Sequence, residues 1–290
     1  MRLATFAYRD TVRIGVVDNN ALLSPDPAAG TPATMLELIA GGESALGRFF
    51  AAAQGAQPLP VDDVRLLAPI PRPPRNVMCL GFNYVEHVQE TTGSTVGARA
   101  VPEHPVVFTK NTTSVVGPGA QVPCHPDITS QLDWEVELAV VIGSGGRAIR
   151  EPDALDHVFG YTVINDLSAR DLQARHQQFF LGKSLDGSCP MGPWLVTRDE
   201  IPDPQHLNLR CRVNGEIKQN SNTRHMVFGV ATIIAQLSRG MTLQPGDIIA
   251  TGTPSGVGFT REPPEFLRPG DTVACEIDGI GTLFNSLVAG

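Results

Sequence analysis

One stretch, residues 131–142 (Gln-Leu-Asp-Trp-Glu-Val-Glu-Leu-Ala-Val-Val-Ile), constrains the fold more than any other. Its apolar residues recur at alternate positions, the period of a strand that buries one face. Trp134, Val136, Leu138, Val140 and Ile142 then share one face, and Asp133, Glu135 and Glu137 share the other. Carboxylates stacked along a strand repel one another unless a cation lies among them. No Lys or Arg alternates with them here. Two arrangements satisfy the pattern: a solvated face at a sheet edge, or a metal held by the carboxylates.

The rest of the composition narrows the fold class. The chain has 290 residues, 42% of them hydrophobic and 18% charged, which is ample for a packed core and far from a disordered composition. Gly (29) and Pro (24) are abundant, which favours many turns between strands. Net charge is 22 − 30 = −8 and no basic run occurs, so nucleic acid and anionic membrane are excluded as expected partners. An acidic substrate would need its charge met locally, by a metal or a few placed cations. Five scattered cysteines, Cys79, Cys124, Cys189, Cys211 and Cys275, include no C-x-x-C pair and read as buried free thiols of a reducing compartment. No secretory leader or membrane-length apolar run is visible, so a cytoplasmic location is expected.

Along the chain, residues 2–8 and 11–17 read as short strands, residues 34–53 as helix interrupted at Gly41-Gly42, and residues 64–68 as another strand. The proline-rich run from Pro69 to Pro74 suggests a boundary between a small N-terminal α/β domain (1–70) and a catalytic domain (71–290). Beyond it strands dominate, at 76–80, 106–110, 134–142, 159–164, 194–197, 207–213, 247–250 and 272–277. Helices are expected at 226–238 and from Ser168 through Gln178. The class is a β-rich α+β fold, a β-sandwich or barrel-like roll with helices attached.

Several residues carry chemistry. Asp166 ends the apolar strand before the second helix. With Glu135 and Glu137 it offers three oxygen ligands, which suits Mg²⁺ or Mn²⁺, with Ca²⁺ as an alternative occupant, and not structural zinc. Taken alone, Asp166 is also a common turn or cap residue. Lys183, in Gly182-Lys183-Ser184, is either a solvated charge or a grip for a substrate oxyanion beside a cation. His87 and Glu90 are three apart and share a helical face, so the carboxylate can orient the imidazole as a base. An exposed polar pair has the same spacing. Asn83 and Glu86 have the spacing of a capping box, and residues 91–97 are small and flexible in composition, as in a segment that orders over substrate. The uncharged loop 251–258 offers backbone N–H groups and the Thr253 hydroxyl to a carboxylate, or is a plain turn.

In order along the chain, Gly81-Phe82-Asn83-Tyr84 with His87 and Glu90, then Asp133-Trp134-Glu135-Val136-Glu137-Leu138, then Asn165-Asp166 with Ser168–Gln173, then Gly182-Lys183-Ser184, then Thr251-Gly252-Thr253-Pro254-Ser255-Gly256-Val257-Gly258, resemble the fumarylacetoacetate hydrolase family. Phe82 and Leu185 depart from the commoner Leu and Phe, at positions that carry no chemistry. The resemblance implies a mixed β-sandwich roll, commonly a homodimer, with Mg²⁺ or Mn²⁺ on Glu135, Glu137 and Asp166. It implies a His87–Glu90 dyad on a mobile lid, Lys183 supporting an enolate, and Arg170, Gln173 and Thr253 binding substrate oxygens. The expected reaction is hydrolysis of a C–C bond in a 2,4-dioxo acid of the acylpyruvate or fumarylpyruvate type, through a pyruvate enolate. The alternatives are decarboxylation of oxaloacetate or a related 2-oxo dicarboxylate, and isomerisation of an unsaturated 2-hydroxy or 2-oxo dicarboxylate. A binding protein with a structural Ca²⁺ is the non-enzymatic alternative.

Overall fold

The strand foreseen at residues 131–142 forms in two pieces. Leu132–Asp133 pairs with Ser168–Ala169, and after a break at Trp134-Glu135 the chain continues as Val136–Ile142. These elements belong to a computed structural model that describes residues 1–94, 96–97 and 100–290. Val136–Ile142 is antiparallel to Val158–Asn165 on one side and to Ile248–Ala250 on the other, and every one of its residues is buried. The carboxylate face is therefore interior, and the solvated-edge arrangement is ruled out.

This strand lies within a 12-stranded mixed sheet. From Ile248–Ala250 the sheet continues through Val77–Gly81, which is parallel to it, to an edge at Val106–Lys110. In the other direction it passes Val158–Asn165 and Cys189–Thr197, then Arg2–Tyr8, Thr11–Asp18, Ala21–Leu23 and Leu59–Pro60. The two edges do not meet, so the sheet is an open roll and not a closed barrel. A five-stranded sheet, ordered Glu216–Asn222, Asn208–Val213, Thr272–Ile277, Gly281–Val288 and Gln121–Pro123, packs against it.

Alternation along the central strand decides the layers. Leu138, Val140 and Ile142 share a core with Leu209, Cys211, Cys275 and Ile277 of the smaller sheet. Ala139 and Val141 face the other way, into a core with Met35, Leu38 and Phe49 from the helices Met35–Ala40 and Gly42–Ala53. Each large aliphatic side chain removed from water in this way contributes about 1.5–3 kcal/mol. The result is a sheet-rich α+β fold with helix, large sheet and small sheet in layers. All five cysteines are buried free thiols. No helix is long and apolar enough to cross a membrane among the described residues.

The fold departs from the sequence expectations in instructive places. The helix expected at 226–238 begins only at Val230, because Gly229 is extended and Met226 is held in a bridge to Tyr84. The helix expected from Ser168 begins at Arg170, because Ser168–Ala169 is spent on strand pairing, and it ends at His176, before Gln177 at φ +60°. Asn83 and Glu86 form no capping box: Tyr84 is the N-cap of Val85–Thr91 and makes no side-chain cap bond. The strands Glu216–Asn222 and Gly281–Val288 were not foreseen, since polar residues on their outer faces dilute the apolar signal. The flexible run expected at residues 91–97 includes Thr95, which lies outside the described residues. Thr91 itself is buried and donates its hydroxyl to the carbonyl of His87 at 2.8 Å.

Candidate metal centre and active site

Register places the carboxylates together. Val136 pairs with Asn165, so the next residue, Asp166, lies beside Glu135 and donates its N–H to the Glu135 carbonyl at 2.8 Å. One oxygen from each of Glu135, Glu137 and Asp166 then lies within 4.8 Å of the other two. All three residues are at most 4% exposed. Oxygen-only donors at this spacing fit a hard divalent ion. A second observation agrees: Glu137 Oε1 is buried and has no hydrogen-bond partner among the described residues, which leaves a lone acceptor for a cation to fill.

Both oxygens of Glu135 and both oxygens of Asp166 are approached by cations from distant segments. Lys183 Nζ lies 2.7 Å from both Glu135 Oε2 and Asp166 Oδ2. Lys110 Nζ, at the end of the edge strand, lies 2.6 Å from Asp166 Oδ1. Arg170 Nη2 lies 2.7 Å from Glu135 Oε1 but off the line of a hydrogen bond, so this buried N–H has no aligned acceptor. Asp133, which the strand pattern grouped with the ligands, instead pairs with Arg170 Nε at 2.9 Å and accepts the N–H groups of Gly258 and Phe259.

The charges explain the ionisation states. Four buried carboxylates (Asp133, Glu135, Glu137 and Asp166) face three buried cations (Lys110, Arg170 and Lys183). Burial pushes Glu135 up, but Lys183 and Arg170 more than offset it and hold its carboxyl at about 2. Glu137 lacks such a partner: burial first, then the negative charges of Asp166 and Glu135, raise it well above the ordinary glutamate value. Glu137 thus keeps its proton over a pH range in which a free glutamate is ionised, and it must release that proton to act as a ligand. Below its raised pKa the proton competes with the metal. Mn²⁺ affinity should therefore weaken as pH is lowered through that raised value, with up to about one proton released per ion bound. Calorimetric titration in two buffers of different ionisation enthalpy measures that release, and a pH-independent affinity would contradict the assignment. With a divalent ion in place the same count leaves one excess positive charge, which favours an anionic substrate.

His87 stands on the helix Val85–Thr91, with Nδ1 2.7 Å from Glu90 Oε1. A carboxylate can only accept here, so the proton sits on Nδ1 and Nε2 carries the free lone pair. Glu90 is fixed in turn by the Gly256 N–H at 2.9 Å and the Thr260 hydroxyl at 3.2 Å. The Asn83 side chain ties the chain ahead of this helix to Phe228 and to the Thr251 carbonyl.

The glycine-rich loop binds carboxylates, and they are the protein's own. Gly252 N–H donates to Glu137 Oε2 at 2.8 Å, Gly256 to Glu90 and Gly258 to Asp133. None of these glycines leaves room for a Cβ: at Gly258 it would lie 2.1 Å from the Glu265 carbonyl oxygen, and the other two also have positive φ. Gly252 has φ +96° and a Cβ there would lie 2.8 Å from Asn83 Cβ, while at Gly256 (φ +101°) it would lie 2.1 Å from the Lys218 carbonyl oxygen.

His87, Glu135, Arg170, Gln173, Lys183 and Thr253 all line one small cavity. Gln173 Oε1 accepts from Arg170 Nη1 at 3.1 Å. The Thr253 hydroxyl donates to the Val136 carbonyl and accepts from Gln219, so its polar capacity is largely engaged within the fold. The outer wall is aromatic: Phe179 meets Phe82 and Phe108 edge-on, at centroid distances of 6.0 and 5.5 Å. Lys110 escaped the sequence reading, and its only local signal was a lone charge closing an otherwise uncharged strand.

Fold and site define a class: a sheet-rich α+β scaffold with a buried carboxylate centre beside a histidine–glutamate pair. The profile described as "Fumarylacetoacetate (FAA) hydrolase C-terminal" matches residues 76–288, and the chain belongs to the fumarylacetoacetate hydrolase family. It is 54% identical over 228 residues to "Oxaloacetate tautomerase YisK" of Bacillus subtilis, covering 78% of this chain and 74% of that protein. It is 46% identical over 276 residues to "Oxaloacetate tautomerase Fahd2a, mitochondrial" of Rattus norvegicus, covering 94% and 84%. That relative is mitochondrial by name, whereas the expectation for this chain is cytoplasmic. Among solved structures, the fumarylacetoacetate hydrolase of Exiguobacterium antarcticum superposes with TM-score 0.88 at 44% identity, covering 100% of both chains. Maleylpyruvate hydrolase of Sphingobium sp. SYK-6, solved with manganese(II) and pyruvate, superposes with TM-score 0.82 at 32% identity, again covering 100% of both.

Proposed function

We propose that the chain is a divalent-metal-dependent enzyme that moves a proton between C3 and the 2-oxo oxygen of a short 2-oxo dicarboxylic acid, with oxaloacetate the first substrate to test. The observation that carries this reading is that a base and one carboxylate of the metal-type cluster line the same small cavity: His87 with Glu135, Arg170 and Lys183. The names of the two curated relatives point to the same substrate.

A divalent ion held by Glu135, Glu137 and Asp166 would supply Lewis acidity, which makes the C3 protons of a 2-oxo acid labile. His87 Nε2 takes the proton from C3, and the imidazolium so formed is stabilised through Nδ1–H by Glu90. Lys183 and the Arg170 Nη2 group supply donors to the substrate's carboxylate and developing oxyanion. Return of the proton to oxygen completes the enol, and the reverse sequence restores the ketone. The net change is the transfer of one proton, and no bond between heavy atoms breaks.

Hydrolysis of a 2,4-dioxo acid is the second reading. It is favoured by the structural likeness to maleylpyruvate hydrolase and by a dyad suited to deprotonating water. The two are separated by product: tautomerisation changes enol absorbance without a change in mass, and hydrolysis yields pyruvate and a carboxylic acid. His87→Ala should slow oxaloacetate tautomerisation by about 10²- to 10⁴-fold. Stopped-flow ultraviolet decay of the enol, with and without EDTA, measures it. An EDTA-insensitive rate, or a variant as fast as the parent, would sink the proposal.

A further inference from the structure

The helix that carries His87 is gripped by a second carboxylate for which the reaction has no use. Glu86 and Glu90 are four residues apart on Val85–Thr91. Glu90 reaches the glycine-rich loop, whereas Glu86 reaches a different part of the fold. One Glu86 oxygen accepts the hydroxyl of Ser221, on the strand Glu216–Asn222. The other lies 3.0 Å from Nδ1 of His225, in the turn Thr223–His225.

The tautomer of His225 follows from its other neighbour. Arg224 Nε lies 3.3 Å from His225 Nε2, and a guanidinium can only donate. Nε2 therefore accepts, the proton sits on Nδ1, and that N–H points at Glu86. Both oxygens of one carboxylate are thus engaged by donors from neighbouring segments of a single strand-and-turn unit. The helix they hold needs such an anchor, because it has seven residues and no side-chain N-cap. Glu86 and His225 are partly exposed, at 29% and 43% of their side chains, so the grip can loosen without opening the core.

We propose that Glu86, Ser221 and His225 form a clamp that fixes the helix Val85–Thr91 and so positions the His87 imidazole over the cavity. They are positioning residues, acting through the helix and touching no substrate. The inference rests on the proposed role of His87 as base.

The test uses the Mn²⁺-loaded full chain. In Glu86→Ala and in His225→Ala, hydrogen exchange of amides 85–91 should quicken by about tenfold while the global unfolding midpoint stays in place. kcat for oxaloacetate should fall and KM should hold, because the base moves and the substrate contacts do not. The double variant should add little, since both changes release one clamp, and His225→Asn, which keeps an N–H donor near the Nδ1 position, should restore protection. Unchanged exchange in Glu86→Ala would overturn the clamp, and quicker exchange with unaltered kcat would overturn its positioning role. If the parent enzyme turns over neither oxaloacetate nor a 2,4-dioxo acid, the proposed reaction fails. The exchange measurement needs no substrate and still decides whether the clamp exists.

Discussion

Glu137→Gln should abolish metal-dependent turnover and leave the fold intact. Among the described residues Glu137 is the clustered carboxylate with no cationic partner: Oε2 accepts the Gly252 N–H, and Oε1 accepts nothing. Burial and the charges of Asp166 and Glu135 already favour its protonated form in the absence of metal. Glutamine has nearly the shape of that protonated acid, so its oxygen keeps the Gly252 bond and its amide finds carboxylate acceptors beside it. The unfolding midpoint should hold or rise. What is lost is an anionic ligand, and with it several kcal/mol of charge stabilisation, or about 10³-fold in kcat/KM. Glu135→Gln would be a poorer experiment, because it also unpairs Lys183 and Arg170. Steady-state kinetics at saturating Mn²⁺, paired with calorimetric metal titration, is the measurement. Turnover within about threefold of the parent would end the metal assignment.

Lys110→Met should do the opposite and damage the fold before the chemistry. The ammonium is fully buried, lies 2.6 Å from Asp166 Oδ1 and donates to the Leu167 carbonyl at 3.0 Å. Methionine fills similar space but strands half of a buried carboxylate. Breaking a buried pair in this way costs about 3–5 kcal/mol. A denaturant titration should show the loss as a lower midpoint at unchanged slope. Adding Asp166→Asn should recover part of it, because the second change removes the orphaned charge. A Lys110→Met protein within about 1 kcal/mol of the parent would show that Lys183 alone suffices to hold Asp166.

Much of the site was legible because its information is local. The i, i+3 spacing of His87 and Glu90 on a helix, and the i, i+2 spacing of Glu135 and Glu137 on a strand, need no tertiary knowledge to place each pair on one face. The same rule misassigned Asp133, because the break at Trp134-Glu135 separates it from the strand and turns it toward Arg170 and the backbone of Gly258. It also misassigned Asn83 and Glu86, whose capping-box spacing lost to partners at Phe228, Thr251, Ser221 and His225. A local bond competes with whatever the fold brings near, and here the distant partners prevail.

By itself, the sequence determined that Glu135 and Glu137 share one face of a strand and that His87 and Glu90 share one face of a helix, since these follow from residue identity and backbone period. Tertiary structure alone decided that this strand lies in the interior of the sheet, that Lys110 pairs with Asp166, and that Glu137 is the carboxylate left unpaired among the described residues. The reason is that charge pairing in a buried site depends on which remote segments the strand register places side by side, and no short-range pattern encodes that register.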